Sequence, residues 1–135
     1  MVKTILLMGW MHLICDFVLQ PICLSQLKCK SWWVEECKKN NVDFKKYQGD
    51  YISALLMHGF TWSIMILIPP MFLMDVPNWL LIKFFIINAG VHAYVDDLKA
   101  NRFKINLWTD QLIHIIQILV TFYIIVFNPT LLGQN

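Results

Sequence analysis

This sequence of 135 residues is short of charge. Only 15% of it is Asp, Glu, Lys or Arg, against 58% apolar residues. So few polar positions cannot give every helix a wet face, which excludes an ordinary soluble domain. The four cysteines, Cys15, Cys23, Cys29 and Cys37, lack the spacing of any standard zinc site. Three of them fall on the side expected to face the reducing cytoplasm, so no disulfide framework is expected. Also missing is a small-x-small cleavage site after the first apolar stretch. Lys3 and the run from Ile5 to Ile14 look like the start of a signal peptide, but Asp16 interrupts the place where cleavage would occur. That segment is expected to stay as a helix. There is no internal repeat and no low-complexity tract, and the length leaves room for one domain, residues 1–135.

What the sequence has instead is long apolar runs, at about 4–20, 51–74, 78–98 and 105–127. Crossing the hydrocarbon core takes about 20 such residues. The expected fold is therefore all-α, a four-transmembrane-helix up-down bundle, with residues 21–50 as its one long connection. Within that connection Cys23, Leu27, Lys30, Trp33, Val34 and Cys37 recur near helical spacing. The pattern suggests a short amphipathic helix in the membrane interface, with Trp32 and Trp33 at headgroup depth. Gly49 and Asp50 read as the turn into the second helix, and Pro69 and Pro70 should kink or end it. Trp79 and Trp108 are candidate interfacial anchors. The tail after Phe127 is short and carries Pro129 and Gly133.

The placement of the basic residues orients the bundle. Lys28, Lys30, Lys38, Lys39, Lys45, Lys46, Lys99, Arg102 and Lys104 fall in the two loops on one side, and only Lys3 and Lys83 lie toward the other. Basic residues in short loops mark the cytoplasmic face. The expectation is a multi-pass protein of the inner (cytoplasmic) membrane with both termini outside. Its basic loops would meet membrane lipids, and no nucleic-acid partner is expected.

Seven ionisable residues fall inside the apolar runs: His12, Asp16, His58, His92, Asp96, Asp110 and His114. Each costs roughly 2.5–3.5 kcal/mol to place mid-membrane if unpaired. His12 and Asp16, His92 and Asp96, and Asp110 and His114 are each four residues apart, so each pair shares a helix face. At about 1.5 Å per residue, all seven fall in one layer roughly 5–13 Å beneath the cytoplasmic face. Inward His and carboxylate pairs on a four-helix bundle are a standard way to build a metal centre. The competing reading is a metal-free hydrogen-bond or proton network that fixes helix packing. Nitrogen and carboxylate ligands suit a divalent metal, zinc first, with iron or manganese also compatible, as one or two ions. Gln20, Gln111 and Gln117 are placed to orient ligands, Gln117 alternatively to bond across helices. Lys99 is either an interfacial anchor or a phosphate contact, Asp97 a solvated neighbour of Asp96. Gly59 and Gly90 are expected to allow close helix packing.

The stretches His12-Leu-Ile-Cys-Asp16-Phe17-Val-Leu-Gln20, His58, His92-Ala-Tyr-Val-Asp96-Asp-Leu-Lys99 and Asp110-Gln111-Leu-Ile-His114 follow one another in order. This pattern resembles a family of small bacterial and phage-encoded integral membrane proteins of unknown function, over nearly the whole chain. The resemblance implies the four-helix membrane fold and the importance of these positions, and no activity. The chain departs from the family in its long cysteine-containing first loop and in Asp97, where an apolar or aromatic residue is expected.

Three functions compete on these residues. The leading one is a metal-dependent hydrolase acting on a lipid, phosphoester or amide near the cytoplasmic leaflet, with Asp96 or Asp110 as general base and Lys99 steadying an anionic headgroup. The second is an ion or proton transporter or oligomeric channel, for which the outer halves offer little beyond Lys83, Asn88 and Thr121. The third is a structural or regulatory membrane protein in which metal or hydrogen bonds act as a staple. A homo-oligomer is compatible with all three.

Overall fold

The computed structural model describes residues 1–127, so the tail with Pro129 and Gly133 lies outside the described residues. The described chain is all-helical. It opens with α1 (Val2–Leu13), which continues without a break into five residues of π-helix, Ile14–Val18. Two short helices follow, α2 (Ile22–Leu27) and α3 (Lys30–Lys39), then a 3₁₀ turn at Phe44–Tyr47. Three long helices complete the fold: α4 (Asp50–Leu73), α5 (Asn78–Ala100) and α6 (Leu107–Val126). By length and composition, three helices can cross a membrane, and these are α4, α5 and α6. The helical run holding α1 has 12 residues of α-helix and 5 of π-helix. Its length lies at the lower end of the about 17–25 residues that a span needs.

α1 packs against α4 and α6, and α5 packs against the same two, which gives the ring order α1–α4–α5–α6. The α4–α5 crossing is the closest. A Cβ built on Gly59 would stand 2.5 Å from the carbonyl oxygen of Ala89, so only glycine fits there. Gly90 differs from its expected role, because a Cβ at that position meets nothing within 4 Å. The interior has two halves. Toward the ends of α4 and α6 and the start of α5 it is apolar, with Ile66, Leu80, Phe84 and Ile125 buried together. Toward the other end it holds His12, His58, His92, Asp96, Asp110 and His114, each no more than 2% exposed. Large apolar side chains such as Phe72, Ile86 and Tyr123 cover the outside.

Two local features refine the sequence expectation. α4 runs through Pro69 and Pro70 for one more turn and ends at Leu73, where the Met74 amide bonds to Pro70 O. The two prolines sit so close to the helix end that few backbone bonds are lost. The connection 21–50 holds two helices where the spacing suggested one. Cys29 is extended between them, and Asn101 takes up the freed backbone groups: its Nδ2 donates to Lys28 O and its Oδ1 accepts from Lys30 N. Trp33 ties the connection together, donating Nε1 to Leu27 O and stacking on Tyr47.

Candidate metal centre

Each helix of the ring contributes to the polar half. α1 and its π-helical turn supply His12 and Asp16, α4 supplies His58, α5 supplies His92 and Asp96, and α6 supplies Asp110 and His114. The three pairs spaced by four residues do share helix faces. His12 Nδ1 lies 3.5 Å from Asp16 Oδ2, His92 Nε2 3.9 Å from Asp96 Oδ2, and His114 Nε2 3.5 Å from Asp110 Oδ1.

The pairs also meet across the bundle. Asp16 Oδ1 is 3.4 Å from His58 Nε2 and 3.9 Å from His92 Nε2, while Asp96 Oδ1 is 3.5 Å from His114 Nε2. Two overlapping triads result, Asp16–His58–His92 and His92–Asp96–His114, each with its ligand atoms within 4.8 Å of one another. His92 belongs to both, and its ring stacks on His114 at 4.0 Å between centroids.

These separations bear on both sequence readings. A nitrogen-to-oxygen hydrogen bond spans about 2.7–3.2 Å. Two ligands of one tetrahedral ion with bonds of about 2.0–2.1 Å stand roughly 3.4 Å apart. The His–Asp distances of 3.4–3.9 Å lie beyond the usual hydrogen-bond range and near the second spacing. Accordingly His58 Nε2, His92 Nε2, His114 Nε2, Asp16 Oδ1 and Asp110 Oδ1 are buried with no hydrogen-bond partner among the described residues. Native proteins rarely leave such atoms unpaired, and here they converge on one space. The donor set and its geometry fit a divalent ion.

His12 and Asp110 lie outside both triads. The Trp62 indole donates to His12 Nδ1 at 2.8 Å and stacks on His92 at 4.3 Å, so one buried ring positions two imidazoles. Asp110 Oδ2 accepts from Lys99 Nζ at 2.5 Å and from Gln111 Nε2 at 3.1 Å. Gln111 also reaches Asp16 Oδ2 at 3.4 Å and thereby links α6 to the π-helical turn. Gln117 instead bonds across helices, donating to Asn88 O and Oδ1. Asp97 points away from the centre and receives Arg102 Nε and Asn101 Nδ2 at the end of α5.

Lys28 is the participant that sequence reasoning missed. It stands in the basic connection, yet it is 5% exposed and its Nζ donates to Asp96 Oδ2 at 2.5 Å and to Gln20 Oε1 at 3.3 Å. No signal in the neighbouring residues marked it out. No family model, curated protein or solved structure matches the chain.

Proposed function

We propose that this chain is a membrane-embedded metal protein whose centre hydrolyses a lipid or phosphoester at the cytoplasmic leaflet. In this reading α1 and its π-helical turn join α4, α5 and α6 as a fourth transmembrane segment. The basic residues at the site end support a topology with that end in the cytoplasm and both termini outside the inner membrane. The resemblance to small bacterial and phage membrane proteins belongs to the same reading. The observation that carries it is the convergence of unpartnered His Nε2 and Asp Oδ atoms from four helices at ligand spacing.

Asp16, His58, His92, Asp96 and His114 would hold the ion. A divalent ion there supplies a Lewis acid that activates water and polarises a phosphoryl or acyl oxygen. Asp110 keeps Oδ1 unpartnered beside His114 while Lys99 and Gln111 fix its other oxygen, so it is the group placed to accept a proton from water. Trp62 holds the rings of His12 and His92.

Transport has one specific observation in its favour. Asn88, Gln117 and Thr121 extend the buried polar chain deeper into the bundle. Beyond them Ile66, Leu80, Phe84 and Ile125 close the interior, which argues against a through-path in one chain.

The deciding experiment is elemental analysis of detergent-purified protein, paired with turnover of a panel of phospholipids and soluble phosphoesters before and after chelation. About one zinc per chain and chelator-sensitive turnover are expected. Protein of full stability that is purified without chelators and holds no metal overturns the metal centre. Bound metal with no turnover overturns the hydrolase.

A further inference from the structure

Two ammonium groups reach into a cluster that already holds four imidazoles. Lys28 approaches from the connection after α2, with its side chain 7% exposed, and Lys99 approaches from the last turn of α5, at 31%. Burying a lysine costs several kcal/mol unless it is well paired. A solvated loop position would have been open to both. Each is bonded to a carboxylate of the centre, Lys28 to Asp96 and Lys99 to Asp110, and Lys99 Nζ lies a further 3.8 Å from Asp96 Oδ1.

Charge balance says what these cations are for once an ion is present. With His58, His92 and His114 neutral, as metal ligands must be, and His12 neutral because its Nδ1 accepts from Trp62, Asp16, Asp96 and Asp110 carry three negative charges and the lysines two positive ones. The protein alone is one charge negative. A single divalent ion turns the cluster one charge positive, which is costly in a water-poor interior until an anion joins it. A neutral ester or amide would leave that charge standing. The number of contacts narrows the anion further. The ion and two ammonium groups ask for separate oxygens, and a carboxylate has two, whereas a phosphoryl group has enough non-bridging and bridging oxygens to serve all three.

We infer that the centre binds a phosphate group, with Lys28 and Lys99 as its two cationic contacts. This rests on the metal-centre reading above and selects the phosphoester among its substrates. With an ion held by the carboxylates, Lys28 and Lys99 would be the groups free to donate to phosphoryl oxygens. A phosphate on a lipid headgroup and a soluble phosphoester share this chemistry.

The test uses full-length, zinc-loaded protein in a maltoside detergent, which contains no phosphate, and inorganic phosphate as the titrant. Lys28→Met and Lys99→Met should each weaken phosphate binding about tenfold or more while zinc content stays at the wild-type level. Lys28→Arg should retain most of it. Lys99 is the more exposed of the two, so its variant carries the test if Lys28→Met fails to fold. Unchanged phosphate affinity in a folded Met variant, or acetate binding as tightly as phosphate, overturns the inference and leaves the metal centre standing. Wild-type protein without zinc overturns the centre itself, a distinct result. Competition by phosphatidate micelles but not by glycerol phosphate assigns the phosphate to a lipid headgroup, and the reverse assigns it to a soluble ester.

Discussion

The two halves of the interior are built by the same four helices and solve opposite problems. In the apolar half, Ile66, Leu80, Phe84 and Ile125 fill the space and need only shape. In the polar half, eight buried atoms of His12, Asp16, His58, His92, Asp110 and His114 lack a hydrogen-bond partner among the described residues. Lipid tails are as apolar as a leucine side chain, so in a membrane the apolar half holds helices together through packing alone. The polar half has the larger free-energy range, because an unpaired group there is far more costly than a poorly packed methyl. Stability of the bundle should thus be governed at one end by fit and at the other by occupancy.

The sharpest way to break this contrast is His92→Ala, since His92 stands in both triads. Zinc content measured on the purified variant should fall, and thermal unfolding in detergent should show a loss of about 4 kcal/mol, the contribution of a ligand at about 1,000 times its Kd. Full zinc occupancy and an unchanged Tm would place His92 with the packing residues. Gly59→Ala comes next, at about 3 kcal/mol, because the new methyl meets a backbone oxygen that cannot turn aside. Gly59 adjoins His58, so this variant should lose zinc affinity along with stability. Ile66→Ala tests the other half directly. A loss of about 2 kcal/mol, at the low end for such truncations because lipid is the alternative environment, should leave zinc content untouched. The smallest effect belongs to the border. Asn88→Leu removes the partner of Gln117 and Thr121 and should cost about 0.6 kcal/mol, the average for an interhelical hydrogen bond in a membrane. A loss above about 2 kcal/mol in chemical denaturation would move that network into the polar half.

Much of the polar half was legible because its signal is local. Spacing by four residues puts His92 and Asp96 on one face whatever else happens, and the alternation of helix direction puts the pairs at one level. The three long helices were legible from length and apolar content, with boundaries that shift by a few residues at the ends. Lys28 was not legible, because nothing in its neighbourhood distinguishes it from the lysines that stay in water. Its burial depends on the break at Cys29, and that break depends on Asn101, more than 70 residues away along the chain. Trp62 was hidden for a similar reason. A tryptophan in an apolar run signals packing or an interface, and only the assembled bundle aims its N–H at His12. The π-helical turn at Ile14–Val18 left no mark in the pattern of residues, and α1 is shorter than the apolar run that predicted it.

The ring order has a consequence for how the molecule is made. α4 and α5 are consecutive in the chain and interlock at Gly59, so that hairpin can form as soon as both have left the ribosome. α1 is synthesised before either, yet one of its two partners is α6, which follows both. Until α6 arrives, His12 and Asp16 have no companions from it, and the short α1 is a poor candidate to hold the bilayer alone. Chain order thus makes closure of the ring, and with it completion of the centre, a late event in biogenesis. A ribosome-stalled chain that ends after α5 would contain His12, Asp16, His58, His92 and Asp96, but not His114, and so could complete only one of the two triads.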